Sequence, residues 1–431
     1  MFLKKKRFLL ISSVMALALI GFVIGRWGLQ SVDAQGSYEE LRIFTEVTTL
    51  IKKNYVDDVK TKDLIVGAIK GMLNTLDPHS GYMTPDIYKE FQTETKGEFG
   101  GVGIQIGIKD GYLTVIAPIE DTPAFKAGIE AGDRIVKISG EPTKGMGLHE
   151  AVSKMRGAKG TSVTLTIIRE GWKEPRDFVL VRDIIKIKSV KAKMLPDGIG
   201  YIKLTQFIET SASELSSAIN KLKAEGMNSL ILDLRNNPGG LLNIAVDVTE
   251  QFLPQKKLVV YIKGRTGERT EYFTKGKDPL TDIPMVVLVN HGSASASEIV
   301  AGALKDWSRA IVIGVQTFGK GSVQSLIPLS DGSALKLTTA KYYTPSGTSI
   351  QGVGISPDIT VKLEAKDGKE HTVIREKDLT RHLKNEQMKE TPREDEKAPL
   401  EVEEKDDAQL QKAIDTLKVW KLFEKMPKKA A

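Results

Sequence analysis

Between residues 37 and 93 apolar side chains recur at helical spacing. Leu41, Phe44, Val47, Ile51 and Tyr55 form one stripe, residues 63–76 repeat it, and Leu76-Asp77-Pro78-His79-Ser80-Gly81 breaks it. From 97 to 182 the pattern changes to short apolar, β-branched runs at 102–108, 113–116, 134–138, 163–169 and 178–181. Gly, Asp and Pro turns separate them, and one helix is predicted at 147–156. Residues 185–361 then alternate the two periods. Strands are predicted at 200–205, 229–234, 257–263, 285–290 and 310–315, and helices at 211–225, 241–252 and 295–307. Runs at 323–329 and 334–343 predict a closing hairpin. From Glu364 charge dominates; residues 384–407 read as a solvated linker, and helical spacing returns at 408–423 through Leu410, Ile414, Leu417 and Trp420.

The 431 residues are too many for one average domain and predict two or three. The net charge is +7, and residues 1–34 supply most of it through Lys4, Lys5, Lys6, Arg7 and Arg26 against Asp33. What remains is a poor basis for binding nucleic acid, and no basic patch interleaved with aromatic residues is present. Cysteine is absent, which excludes a thiol nucleophile, a disulfide framework and a Cys-based zinc site. His79, His149, His291, His371 and His382 show no metal-ligand spacing, so no metal and no cofactor are expected. Lys4-Lys5-Lys6-Arg7 precedes the uncharged apolar stretch 8–25, the pattern of an export signal or membrane anchor, with Val32-Asp33-Ala34 as a candidate cleavage site. The positive flank stays inside, so the remainder is expected outside the cytoplasm.

Two segments carry candidate chemistry. In the first, the apolar run Met285-Val286-Val287-Leu288-Val289-Asn290 leads through His291-Gly292 into Ser293-Ala294-Ser295-Ala296-Ser297-Glu298-Ile299. A serine on the first helical turn has free N–H groups beside it and the positive helix end behind it, the conditions for holding an oxyanion. The same position also suits a plain helix cap. The flanks are not those of the Gly-x-Ser-x-Gly elbow, so a histidine triad fits poorly.

The second segment is Thr317-Phe318-Gly319-Lys320-Gly321-Ser322-Val323-Gln324. A lysine becomes a base only if burial lowers its pKa, and the flanking glycines permit close packing; a surface turn is the alternative. Gly314-x4-Gly319-Lys320 nearly matches a phosphate-binding loop, but Gly321 stands where Ser or Thr is needed and a β run follows.

Leu232-Asp233-Leu234-Arg235-Asn236-Asn237-Pro238-Gly239-Gly240-Leu241 leaves a strand through Pro-Gly-Gly and can aim a backbone N–H into a cleft. Glu98-Phe99-Gly100-Gly101-Val102-Gly103-Ile104 is a glycine loop entering a strand. It can hold a peptide's terminal carboxylate on its N–H groups, with the strand edge accepting the peptide.

Taken together, these segments resemble the carboxyl-terminal processing (tail-specific) protease family. The likeness runs from about residue 40 to 361 and includes Asp-Ala-Gln-Leu-Gln-Lys-Ala near the carboxyl end. It implies a crotonase-like α/β protease core with an inserted PDZ-like β domain and helical N- and C-terminal regions. The expected layout is 1–34 signal or anchor, 37–95 helical, 96–182 PDZ, 183–361 core, and 362–431 charged linker with a C-terminal helix.

The resemblance implies Ser295 as nucleophile, Lys320 as general base and Gln324 as the residue orienting the lysine. It places the oxyanion donors at Gly240 and Ala296, with Gly239 the alternative, and tail binding at Gly101, Val102, Gly103 and Ile104. Asp306 is implied as a contributor; eleven residues along one helix is about 16 Å, too far to touch Ser295, so its role is a supporting one. Arg156 is a candidate for coupling tail binding to the protease body. Implied partners are protein or peptide substrates with apolar C-termini, a second copy of the chain, and an adaptor or regulatory protein. The competing reading is a catalytically silent scaffold that presents carboxyl tails to another protease.

Overall fold

The computed structural model describes residues 34–276, 278–363, 370–387, 396–399 and 406–425. The segment expected to direct export and most of the charged linker lie outside the described residues. Among the described residues no helix is long and apolar enough to cross a membrane. The chain divides into two compact units that meet in sequence at Met72 and Leu73. The first holds α1 (Ala34–Asn54) and most of α2 (Thr61–Asn74). Its apolar stripe is largely uncovered, with Leu41, Phe44, Val47, Leu50 and Ile51 all exposed.

The second unit begins with β1 (Gly81–Met83), α3 (Pro85–Lys96) and β2 (Glu98–Gly101). A β domain follows: β3 (Ile104–Lys109), β4 (Tyr112–Pro118), α4 (Pro123–Lys126), β5 (Arg134–Ile138), β6 (Glu141–Pro142), α5 (Leu148–Met155), β7 (Ser162–Ile168) and β8 (Arg176–Val181). Its sheet runs β3-β4-β5-β7-β8, with β6 on β5, around a core that includes Val102, Val115, Ile135, Ala151, Met155 and Leu165. The chain leaves through β9 (Asp183–Lys186), which pairs antiparallel with β2, so entry and exit lie side by side.

The core comprises β10 (Val190–Leu195), β11 (Ile199–Leu204), α6 (Ser211–Ala224), β12 (Ser229–Asp233), α7 (Leu242–Thr249), β13 (Leu258–Gly264), β14 (Arg269–Phe273), β15 (Met285–Val289), α8 (Ala296–Asp306), β16 (Ile311–Gly314), β17 (Ser322–Pro328), β18 (Ala334–Tyr343) and β19 (Ile359–Thr360). The central sheet has the order β10-β11-β12-β15-β16-β19, antiparallel at β10 and parallel elsewhere.

Every residue of β12 and β15 is buried, as parallel strands covered on both faces require. Alternation divides them. Leu230, Leu232, Val287 and Val289 join the core with α6, α7 and α8, while Ile231, Val286 and Leu288 pack against Leu410, Ala413 and Leu417 of α9 (Ala408–Lys425). A second sheet, β1-β18-β13-β14 with β17 on β18, stands beside it.

The predicted strands fall within about two residues of those observed, and 134–138 and 334–343 coincide with β5 and β18. The segment expected to be a solvated linker differs. Lys397–Pro399 pairs with Glu370–Thr372, and residues 384–387 bond the core through Asn385, Gln387 and the Lys384 carbonyl. These contacts are polar, so docking leaves no trace in hydrophobic periodicity.

Candidate active site

The chain leaves β15 through Asn290, His291 and Gly292, and Ser293 to Ser297 are all buried. Each serine has its own task. Ser293 donates its hydroxyl to the Leu234 carbonyl (2.8 Å) and accepts the Asn290 N–H, while Ser297 donates to the Asn237 carbonyl (2.9 Å). Both tie the helix start to the turn after β12. Ser295, between them, caps α8 with φ 54° and ψ −113°, a conformation uncommon for a residue with a side chain. The positive φ and the two anchored neighbours set its hydroxyl apart from theirs. Burial pushes the pKa of the Tyr342 phenol up, and the Ser295 hydroxyl nearby works against that rise.

The Pro-Gly-Gly turn packs directly behind. A Cβ placed on Gly239 would lie 2.9 Å from both the Ala296 N and the Ser295 Cβ. The Gly239 N–H is already given to Asn237 Oδ1 (2.9 Å), and its carbonyl accepts the Phe207 N–H. Among the described residues no acceptor meets the N–H of Gly240 or of Ala296. Two N–H groups are thus unbonded, Ala296 next to Ser295 and Gly240 in the turn whose Gly239 packs against Ser295, while the Gly239 N–H is taken.

Lys320 sits in a loop without regular structure of its own, yet nearly every backbone group there is bonded. Phe318 N–H donates to the Ser293 carbonyl (3.0 Å), Gly319 carbonyl accepts Gly352 N–H (2.8 Å), and Gly321 carbonyl accepts Tyr342 N–H (2.7 Å). Gly321 N–H donates to Gln351 Oε1 (3.0 Å), and a Cβ there would come within 2.2 Å of the Gln351 N, so only glycine fits. A β run, β17, follows at Ser322, which removes the phosphate-loop reading.

The two segments meet at Glu298. Its Oε2 accepts the N–H of Ser295 (2.8 Å) and of Lys320 (2.9 Å), while Oε1 accepts Gly319 N–H (2.7 Å) and the Thr317 hydroxyl. Burial pushes this carboxyl up to about 7, and the four hydrogen bonds work against that rise. Sequence reasoning passed over Glu298. The capping-box spacing Ser295-x-x-Glu298 was the available signal, since an N3 glutamate reaches back to the N-cap amide.

Burial pulls the Lys320 amine below the ordinary lysine value, and Lys336 on β18 adds to the shift; Glu376, Glu298 and Asp77 oppose it. Among the described residues no hydrogen-bond partner reaches the Lys320 Nζ. Gln324 gives its Nε2 to the Ser322 hydroxyl (2.9 Å), the Ser322 carbonyl (3.1 Å) and Thr338 (3.5 Å). Asp306, at the far end of α8, accepts the Ser346 N–H (2.8 Å). The structure therefore joins the Ser295 and Lys320 backbones and the Gly239-Gly240 turn, but places Gln324 on β17 neighbours and Asp306 on the turn after β18.

In the β domain, Gly101, Val102 and Gly103 are buried and Ile104 opens β3. The Val102 and Gly103 carbonyls are used by Ala124 and Ile119 N–H, whereas their own N–H groups meet no acceptor among the described residues. Arg156, at the end of α5, pairs with Glu90 (2.7 Å) and Glu94 (3.5 Å) of α3 and lies over the Phe99 ring.

Known proteins place this arrangement. The model of Peptidase family S41 matches residues 198–361, that of the PDZ domain 114–169, and that of the Activating protease CtpB N-terminal domain 27–87. A carboxy-terminal-processing protease of Bartonella bacilliformis is 48% identical over 362 residues, covering 82% of this chain and 83% of its own length. The carboxy-terminal processing protease CtpA of Bacillus subtilis is 39% identical over 356 residues, covering 82% and 76%. Among solved structures, a photosystem II D1 C-terminal processing protease is 31% identical with a TM-score of 0.45, covering 74% of this chain and 92% of its own. The S41 domain, the PDZ domain and the extent of these identities carry one conclusion: the chain belongs to the carboxy-terminal-processing proteases of peptidase family S41.

Proposed function

We propose that the chain is a serine endopeptidase that binds the C-terminal tail of protein substrates through its PDZ domain and cleaves them with a Ser295–Lys320 dyad, gated by tail binding. The observation that carries the reading is the single Glu298 oxygen shared by the Ser295 and Lys320 amides. Neutral Lys320 takes the Ser295 proton. The alkoxide attacks the scissile carbonyl while the N–H groups of Gly240 and Ala296 receive the developing negative charge; the C–N bond then breaks as the protonated Lys320 gives its proton to the leaving amine, and water, deprotonated by the neutral lysine, hydrolyses the acyl-enzyme. Gln324 orients the lysine, and Asp306 supports from the distal end of α8.

Gating is supported by the resting arrangement, in which the lysine amine has no hydrogen-bond partner among the described residues. A tail's carboxylate takes the free N–H groups of the loop 101–104, and Arg156 relays the event to α3. The mostly parallel sheet, with α6, α7 and α8 on one face and α9 on the other, supports the crotonase-like assignment. The basic, apolar amino-terminal sequence supports export to the periplasm or the outer face of the membrane. Exposed apolar side chains on α1, and on α9 at Leu422 and Phe423, support a homodimer, to be checked by light scattering.

Cleavage of fluorescein-labelled casein by wild type and Ser295→Ala, with and without a peptide ending in apolar residues, tests the whole reading. Wild type is expected to cleave, faster with the peptide, and the variant not at all. A wild type silent under both conditions returns the chain to the scaffold reading.

A further inference from the structure

Residues 373–387 lie beyond the stretch matched to the S41 family, yet they bind the loop that carries Lys320. Arg375 Nη1 donates to the carbonyls of Gln316 and Thr317 (both 3.2 Å). The Glu376 N–H donates to the Phe318 carbonyl (3.1 Å). The Glu376 carboxylate, fully buried, accepts the Gln351 amide on Oε1 (3.0 Å), and the other end of that amide holds the Gly321 N–H. Glu376 thus reaches the loop two residues before Lys320 and, through Gln351, one residue after it. Its remaining partner is His79, whose Nε2 lies 2.7 Å from Oε2. His79 belongs to the turn Asp77-Pro78-His79-Ser80, where Asp77 accepts the His79 and Ser80 amides, the Ser80 hydroxyl and Thr338, a neighbour of Gln324.

We propose that the buried His79–Glu376 pair latches the carboxyl-terminal strap onto the lysine loop, making Glu376 and His79 positioning residues for the catalytic base. The proposal rests on reading Lys320 as that base. The latch joins three stretches remote in sequence: a turn before β1, the loop before β17 and a strap after the family core. A buried carboxylate left without its hydrogen bonds is strongly disfavoured, so the pair locks the strap in one place. It also sets the field at the amine. The charged groups facing Lys320 are Glu376 on the strap, Glu298 on α8, Asp77 in the turn and Lys336 on β18, and His79 faces Glu376 directly. A negative neighbour favours the protonated lysine, so the strap both fixes the base and restrains its deprotonation.

The test is the pH dependence of kcat/KM on labelled casein for the full chain, wild type against Glu376→Gln. Removing the negative charge lowers the lysine pKa, so the acid limb of the profile is expected to move about one unit toward lower pH, with a fall in kcat. At fixed pH, His79→Ala is expected to lose about tenfold in kcat with KM little changed, and His79→Gln to recover part of that loss. An unmoved limb in a folded Glu376→Gln overturns the proposal. If that variant does not fold, the histidine pair decides: equal rates for alanine and wild type, or no recovery with glutamine, overturn it. Lys320→Met separates the two readings. If it is inactive while Glu376→Gln keeps the wild-type profile, only the latch fails; if it is active, the base assignment fails and the latch with it.

Discussion

The serine segment and the lysine loop hold their residues by opposite means. Ser295 is fixed by near neighbours in a regular fold. It stands between a fully buried strand and the helix it caps, flanked by Ser293 and Ser297, which tie it to the turn of the adjacent strand. Lys320 belongs to no helix or strand. Its loop is held by Glu298, Gln351, Arg375 and Glu376, residues 22 to 56 positions away in the chain. On the proposed reading, the nucleophile is therefore placed by secondary structure and the base by tertiary hydrogen bonds. Such a base can be displaced without unfolding the sheet, as a gated enzyme requires.

Substitution of the reacting groups themselves is the sharpest break. Lys320→Arg keeps the charge but cannot become neutral, and, like Ser295→Ala, is expected to lose at least ~10^4-fold in kcat. In wild type, kcat/KM is expected to rise with pH as the lysine deprotonates. Because burial depresses that pKa, the rise is expected below the ordinary lysine value of about 10.4. A limb at or above it would mean an exposed lysine.

Glu298→Gln attacks the bridge between the two segments. An amide puts an N–H where several donors converge, and a loss of about 10^2-fold in kcat is expected, near 3 kcal/mol. Stability should respond as well. The folded pKa of about 7 lies above the ordinary 4.5, so the proton held by Glu298 stabilises the fold fully below pH about 4.5, and this contribution is lost as pH rises through about 7. Urea titrations of wild type and Glu298→Gln across that window are expected to show the slope only in wild type.

Gly321→Ala should perturb the lysine side alone. The added Cβ meets the Gln351 backbone, and a fall of about tenfold in kcat is expected, with a matching fall in the rate of active-site serine labelling and KM nearly preserved. The smallest effect is expected for Asp306→Asn: its contact is with Ser346 at the exposed end of α8, so casein cleavage should stay within about threefold of wild type. A large loss there would mean that the far end of the helix controls the site.

The same contrast explains what the sequence revealed. Strand and helix periods placed β12, β15 and α8 within a residue or two, because apolar burial leaves a period that can be read. The serine, the lysine and the Pro-Gly-Gly turn were visible as local patterns. The loop's anchors were not. Glu376 and Gln351 lie in polar stretches, and His79 sits in a turn that reads only as a helix break; a long-range hydrogen bond between polar residues leaves no period. Gln324 shows the limit from the other side: only the family resemblance pointed to it, and in the structure its amide bonds Ser322 and Thr338.

The β2–β9 ribbon has an architectural consequence. The Ile187 N–H donates to the Gly97 carbonyl at 2.9 Å, so the two crossings into the β domain touch. A guest domain whose ends meet adds almost no closure entropy to its host. The β domain can thus be expected to be exchangeable for another, or for a tight turn joining residues 97 and 187, with the host sheet keeping its strand order; on the proposed reading, what such a chimera would lose is not a fold but a means of hearing the substrate.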